Sequence, residues 1–231
     1  TSWKMDIGQT KIFTATASNG SGNYTSYQWY VNGVAQSGAT TPTFSYSPGT
    51  PGSYSITLTV SDSLGATSAQ SSATMVNVSA SPTVSITPVD PVTLDDGQNQ
   101  MFTATPSGGS GSLSYQWYLN DGIVSDATGS TYSFNRSTGL YSVTCKVTDN
   151  ASIPVTAQSN TVSITVNSAP TVSVSPTSWT MDIGQSKTFT ATASNGSGNY
   201  TSYQWYVNGV IQSGETAPTF SYSPETPGSY S

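Results

Sequence analysis

The sequence has no histidine and a single cysteine, Cys145. The missing histidine removes the Ser-His-Asp and Cys-His arrangements that activate nucleophiles, and with them the commonest ligand of transition metals. The lone cysteine allows no internal disulfide, so any folded unit must be held by packing. Cations are almost as scarce, with five Lys plus Arg against eleven Asp plus Glu and a net charge of −6. A nucleic-acid binder needs a basic face to neutralise phosphates, and five scattered cations build none. An anionic membrane surface is disfavoured for the same reason. No apolar run approaches the roughly 20 residues that cross a bilayer, so no membrane-spanning segment is expected. No signal peptide opens the chain, which starts abruptly and reads as an excerpt.

Low charge alone would suggest disorder, but aromatic residues make up 11% of the chain and recur at fixed places. That pattern belongs to folded units with cores. The segment 1–55 recurs as 177–231 with 48 of 55 residues identical; Lys4 becomes Thr180, Ile12 Thr188, Ala35 Ile211 and Gly49 Glu225. A diverged copy lies between them. Ser26-Tyr27-Gln28-Trp29-Tyr30-Val31-Asn32 is matched by Ser114-Tyr115-Gln116-Trp117-Tyr118-Leu119-Asn120. Trp29, Trp117 and Trp205 are spaced by 88 and 88, and Phe13, Phe102 and Phe189 each open a Phe-Thr-Ala-Thr string. A period of this size implies an array of similar units. The order A-B-A suggests duplication of a pair. Pro-Thr-Val-Ser at Pro82 and Pro170 opens the second and third units, which sets expected domains at 1–80 (first strand missing), 81–168 and 169–231. The links are short and end in proline, as in a semi-rigid string of beads.

Each unit alternates apolar and polar residues in short runs between Gly, Pro, Asn and Ser turns, the pattern of β-strands. In the middle unit the expected strands are Thr83 to Thr87, Val92 to Leu94, Gln100 to Thr105, Leu113 to Leu119, Ser130 to Phe134, Tyr141 to Thr148 and Asn160 to Val166. Their inward sets include Phe102 with Ala104, Tyr115 with Trp117, and Val143 with Cys145 and Val147. Seven strands in under 90 residues, with tryptophan on the strand after the Gly/Ser loop, predict an all-β chain of tandem immunoglobulin-like β-sandwiches, about seven antiparallel strands each.

The run from Pro51 to Gly65, Pro-Gly-Ser-Tyr-Ser-Ile-Thr-Leu-Thr-Val-Ser-Asp-Ser-Leu-Gly, resembles the sixth-strand signature of PKD-type immunoglobulin-like domains. Gly139-Leu140-Tyr141-Ser142-Val143-Thr144-Cys145-Lys146-Val147-Thr148-Asp149 is similar to it. The resemblance departs after the tryptophan, where PKD domains carry Gly-Asp-Gly and this chain has Asn32-Gly33 or Asn120-Asp121-Gly122. It implies repeats similar to those of surface-layer, adhesin and fibre proteins of archaea and bacteria, and to spacers in secreted hydrolases.

Residues capable of chemistry are few. Cys145 falls on an inward face, which suits a small buried hydrophobe; a reactive thiol needs exposure and a cationic neighbour, and Lys146 points the other way. Calcium takes six to eight oxygen ligands. Asp95, Asp96, Asp121 and Asp126 are its candidates, with turn formation and solvated charge as the competing role, and Asp149 stands near the loop after the sixth strand. No Asp-x-Asp-x-Asp-Gly loop occurs. Asp62 and Asp149 are expected to brace that loop through side-chain to backbone hydrogen bonds. No catalytic residue and no cofactor is expected. Asn-x-Ser/Thr sequons fall at Asn19, Asn23, Asn77, Asn135, Asn150, Asn195 and Asn199, and the pairs Asn19/Asn23 and Asn195/Asn199 lie in an expected exposed loop. Tyr30, Tyr118 and Tyr206 follow the core tryptophans, so alternation turns them outward. There they can contact sugars or neighbouring chains, or act as cross-strand partners on a wet face. Trp3 and Trp179 are expected to cap a sandwich edge or to meet another unit.

The last unit stops before its sixth and seventh strands, and Trp205 is then expected to be poorly covered. Either the chain is an excerpt of a longer array or a neighbouring chain donates strands. The whole pattern predicts a non-enzymatic, extracellular or cell-surface structural repeat segment: a spacer or assembly array in a surface layer or fibre. Its expected partners are copies of itself or other surface proteins. An adhesin or carbohydrate-binding module, with glycans as partners, is the alternative.

Overall fold

A computed structural model describes residues 2–231; Thr1, the expected first residue of the first repeat, lies outside the described residues. No helix occurs among them. The strands are β1 (Trp3–Asp6), β2 (Lys11–Thr14), β3 (Tyr24–Val31), β4 (Val34–Ala35), β5 (Thr43–Tyr46), β6 (Gly52–Asp62) and β7 (Thr74–Ser79). Next come β8 (Thr83–Thr87), β9 (Val92–Asp95), β10 (Gln100–Ser107), β11 (Ser114–Leu119), β12 (Gly122–Ile123), β13 (Thr131–Phe134), β14 (Gly139–Thr148), β15 (Thr156–Gln158) and β16 (Val162–Asn167). The last five are β17 (Thr171–Ser175), β18 (Lys187–Ser194), β19 (Tyr206–Val207), β20 (Val210–Ile211) and β21 (Thr219–Tyr222). The chain is a tandem series of immunoglobulin-like β-sandwiches. It divides into two compact units, one of Thr1–Pro88, Phe102–Tyr132 and Val143–Val162, the other of Val89–Met101, Ser133–Ser142 and Ser163–Ser231.

In the first unit, one sandwich is made of the sheet β1-β7-β6-β3-β4 and the pair β2-β5. Trp29 sits opposite Leu58 in the β3–β6 ladder, and alternation sends its indole inward. Met5, Ile56, Val76 and Val78 join it in the core, with Phe13 and Phe44 packed against them. Trp29 and Phe44 stack at 5.6 Å, and the aromatic column runs on through Tyr46 to Tyr54. The same unit holds most of the next sandwich, where β10 pairs β8 and β11 pairs both β12 and β14. Ile86, Phe102, Trp117, Val143, Cys145 and Val147 are fully buried there, as the alternation predicts.

In the second unit, β9 pairs β16, and β18 lies between β17 and β21. Trp205, Ala191 and Phe220 form a hydrophobic core, with Trp205 and Phe220 stacked at 5.3 Å. Trp205 is only 8% exposed. The expectation of a poorly covered ring is thus corrected: Phe220 covers one face, and the indole N–H is anchored to the Ala217 carbonyl at 2.9 Å.

Two further corrections concern pairing. The expectation of antiparallel strands throughout fails at β1, which runs parallel to β7, and at β9, which runs parallel to β16. Each edge segment runs beside the last strand of its repeat in the same direction, so the ladder is parallel; in the second repeat the chain pairs first with β10 through β8 and then with β16 through β9. The short strands β12 and β15 were also absent from the sequence reading. β15 pairs β14 at Lys146 to Thr148.

Candidate functional site

Three local devices recur and hold the surface in place. The first is the tryptophan clasp. Trp29, Trp117 and Trp205 donate their indole N–H to the carbonyls of Thr41, Gly129 and Ala217, at 3.0, 2.9 and 2.9 Å. The preceding glutamines, Gln28, Gln116 and Gln204, each donate to the carbonyl eight residues on, at 2.9 Å. These bonds close the hairpin after the tryptophan, whose turn residues Asn32, Asn120 and Asn208 take positive φ. The second is a tyrosine tied back to the carbonyl four residues before it, near the start of β6 for Tyr54 and of β14 for Tyr141. Tyr54, Tyr141 and Tyr230 donate their phenols to the carbonyls of Thr50, Ser137 and Thr226.

The third is the acidic brace expected of Asp62 and Asp149. Asp62 Oδ1 accepts from the amides of Leu64 and Ala66, each at 3.0 Å, and Oδ2 accepts from the Ser21 amide at 2.9 Å. The Ser21 amide, with Ala66 and Leu64, holds the carboxyl below its ordinary value. Asp149 accepts from Val155 at 2.8 Å and from Ser110 at 2.8 Å. Burial raises its pKa, but these amides prevail and keep it low. The brace therefore ties two loops at one end of the sandwich, a wider role than the sequence reading assigned.

That end is also where consecutive repeats meet, and the meeting place is a site that the sequence reading missed. Gly109 donates to the Ala80 carbonyl at 2.7 Å. A Cβ on Gly108 would lie 2.5 Å from the Ser81 carbonyl oxygen, and its φ of +72 suits glycine, so the loop approaches the linker only without a side chain. From the other side, the turn after β1 reaches across. Ser152 donates to the Lys4 carbonyl at 2.8 Å, and Gln9 Nε2 donates to the Ile153 carbonyl at 2.8 Å. Ser110 Oγ lies 3.1 Å from the Met5 carbonyl and 3.0 Å from Asp6 Oδ1. Asp6 is completely buried, and its Oδ2 accepts no hydrogen bond. Burial, reinforced by the neighbouring Asp149, pushes Asp6 up to about 6. One signal was available: Asp6, Asp95 and Asp182 each stand three residues before a glutamine whose side-chain oxygen accepts from the aspartate amide at 2.9 Å. In the second unit the matching linker contact is Gly196 donating to the Ser168 carbonyl at 2.8 Å.

The other sequence candidates are dispersed. Asp121 and Asp126 are exposed and take positive φ in turns, while Asp95 ends β9 and Asp96 follows it. Among the described residues, no three acidic, cysteine or histidine side chains gather as a metal cluster. Asn19, Asn23, Asn135, Asn150, Asn195 and Asn199 are exposed, and Asn77 is half-buried on β7 with its Oδ1 accepting from Ser53. Asn135 Nδ2 donates to Asn99 and Asn195 Nδ2 to Thr171. Tyr30 and Tyr118 are half-buried, Tyr118 beneath the Lys146 ammonium at 4.6 Å, whereas Tyr206 is 54% exposed. Trp3 and Trp179 each carry a lysine, Lys11 at 3.7 Å and Lys187 at 3.6 Å. Cys145 is buried, and burial pushes its thiol up to about 11.

A buried tryptophan on the central strand, a tyrosine tied back four residues at the start of the long strand, and two facing sheets define an immunoglobulin-like sandwich. Residues 5–75 match the family described as PKD domain, so the first sandwich is of PKD type. Over 204 residues, 80% of the chain, the sequence is 36% identical to the "Highly immunogenic outer capsid protein" of Enterobacteria phage T4. The match takes in 53% of that protein, so the chain spans about half the length of the curated relative it matches. Among solved structures, the chain is similar to the three N-terminal domains of the bacteriophage RB49 highly immunogenic outer capsid protein, at 18% identity and a TM-score of 0.42, covering 94% of this chain and 76% of that one. It is also similar to the fibronectin(III)-like modules of Clostridium thermocellum CbhA, at 21% identity and a TM-score of 0.40, over 72% of this chain and 90% of that one. No helix among the described residues is long and apolar enough to cross a membrane.

Proposed function

We propose that the chain is a non-enzymatic structural segment displayed on the outer surface of a particle or cell, where its repeats act as a spacer. The observation that carries this reading is the direct hydrogen bonding of one repeat to the next through Ser152, Gln9, Gly109 and Ser110. Bonds of that kind tie the first two repeats together at their linker, which suits a spacer. The relative at 36% identity is an outer capsid protein, and that supports a virion surface over a surface layer as the setting. The absence of histidine and the burial of Cys145 support a role without catalysis. Partners would be other surface proteins, with weak contacts strengthened by repetition. Electron microscopy of native particles with gold-labelled antibody against residues 2–79 tests it. Label on the outer surface is expected; label confined to the particle interior or to unassembled protein would remove the proposal.

A second reading, adhesion, is favoured by the exposed hairpin of Tyr206, Val210 and Ile211. A glycan array comparing the chain with Tyr206→Ala separates the readings. Binding lost in the variant would support adhesion, and no binding by either protein would dismiss its sugar form.

A further inference from the structure

We propose that Asp6 and Asp149 share one proton across the junction between the first two repeats, so that the junction locks in acid and loosens towards neutral pH. Both carboxyls are held by the same residue: Ser110 presents its hydroxyl to Asp6 Oδ1 at 3.0 Å and donates its amide to Asp149 Oδ2 at 2.8 Å. The two groups come from different repeats, Asp6 from the end of β1 and Asp149 from the loop after β14. Both carboxyls therefore lie against one residue, each within 3.0 Å of a polar atom of Ser110. Asp6 Oδ2 is buried without a donor. A buried carboxylate oxygen with no donor is costly beside a second carboxylate. A proton on Asp6 removes the cost, because the acid then donates to Asp149.

Lys4, on Asp6's own strand, brings a charge close to this loop: its Nζ lies 3.5 Å from the place a Cβ on Gly111 would occupy. Asp149 is committed as the acceptor by the amides of Ser110 and Val155, which keep it ionised. The proton therefore resides on Asp6.

The sign follows from the two displacements. Asp6 is raised in the closed junction from 3.8 to about 6, so its stabilisation is complete below about pH 4 and is lost as pH rises through about 6. Asp149 is lowered, so its contribution disappears only below the ordinary carboxylate range. The lock is thus released between about pH 4 and 6. A displacement of that size corresponds to a change of about 100-fold in the opening equilibrium. This inference concerns the junction alone and holds whether or not the surface-display reading is correct.

Hydrogen exchange of the full chain tests it, with rates corrected for the intrinsic pH dependence of exchange. The reporter is the Ser152 amide, which bonds to Lys4 across the junction, and the Trp117 amide, inside the sandwich, reports global unfolding. The Ser152 opening equilibrium is expected to rise by about 100-fold from pH 4 to pH 7.5 while Trp117 stays protected. In Asp6→Asn, which carries a permanent donor, the rise should vanish. A flat wild-type profile, or an unchanged rise in the variant, would overturn the proposal. Carboxyl NMR of the unmodified protein is an independent check should the variant fold poorly: Asp6 must titrate near pH 6, and a midpoint near 4 would overturn the proposal. Exchange at pH 7.5 with calcium or with EDTA completes the test. No effect of either is expected, and closure by calcium would show that the pair holds a cation in place of a proton.

Discussion

Tyr141 donates its phenol to the carbonyl of Ser137, four residues upstream, at 2.9 Å, and its ring meets Phe134 edge-on at 5.3 Å. One side chain thus anchors the loop entering β14 and also extends the aromatic core. The equivalent bonds of Tyr54 and Tyr230 make it a property of every repeat. Tyr141→Phe keeps the ring and removes the bond, so a loss of about 1 kcal/mol is expected. Urea unfolding followed by tryptophan fluorescence measures it; no loss would make the bond incidental.

Trp117 is fully buried and bonded to Gly129. Trp117→Ala leaves a large cavity and is expected to cost about 3–5 kcal/mol. Trp117→Phe retains most of the packing but orphans the Gly129 carbonyl, at a cost of about 1–3 kcal/mol. Circular dichroism melts of the two variants should rank them in that order, and an equal effect would contradict the clasp.

Asp62 accepts three backbone amides from two loops and is held below its ordinary carboxyl value. A lowered pKa contributes stability above the unfolded value of 3.8 that is lost as pH falls through the folded one. The wild type should therefore lose stability in acid more steeply than Asp62→Asn. Melting temperatures between pH 2 and 5 read the difference, and parallel acid limbs would show that the brace is not ionic.

Cys145 is enclosed by the core, and its thiol is raised to about 11. The folded protein should leave a thiol reagent unreacted at pH 8, and reaction should begin only with unfolding in urea. Labelling as fast as that of a free thiol would mean that β14 opens locally.

Much of this architecture was legible beforehand. The spacing of Trp29, Trp117 and Trp205 marked the repeat, and alternation assigned Phe102, Val143, Cys145 and Val147 to the inside, where they are buried. Alternation works because successive side chains of a strand face opposite ways whatever the strand pairs with. The junction was not legible. The bond between Ser110 and Asp6 joins residues 104 apart, and nothing in the local pattern of either requires the other.

The contrast between Trp3 and Trp179 shows where the boundary falls. Both stand before Met-Asp-Ile-Gly-Gln with one residue between, and both lie under a lysine. Yet Trp3 begins β1 and is half-buried, whereas Trp179 is 56% exposed and in no strand. The first segment has β7 beside it to accept its backbone bonds. Among the described residues 171–231, no strand takes the corresponding place. The sequence by itself determined which side chains turn inward and how often the unit repeats, because those are properties of a strand and its own residues. Only the tertiary structure decided which edge segments become strands, in which direction they pair and how one repeat grips the next, because a backbone hydrogen bond needs a partner that distant chain must supply.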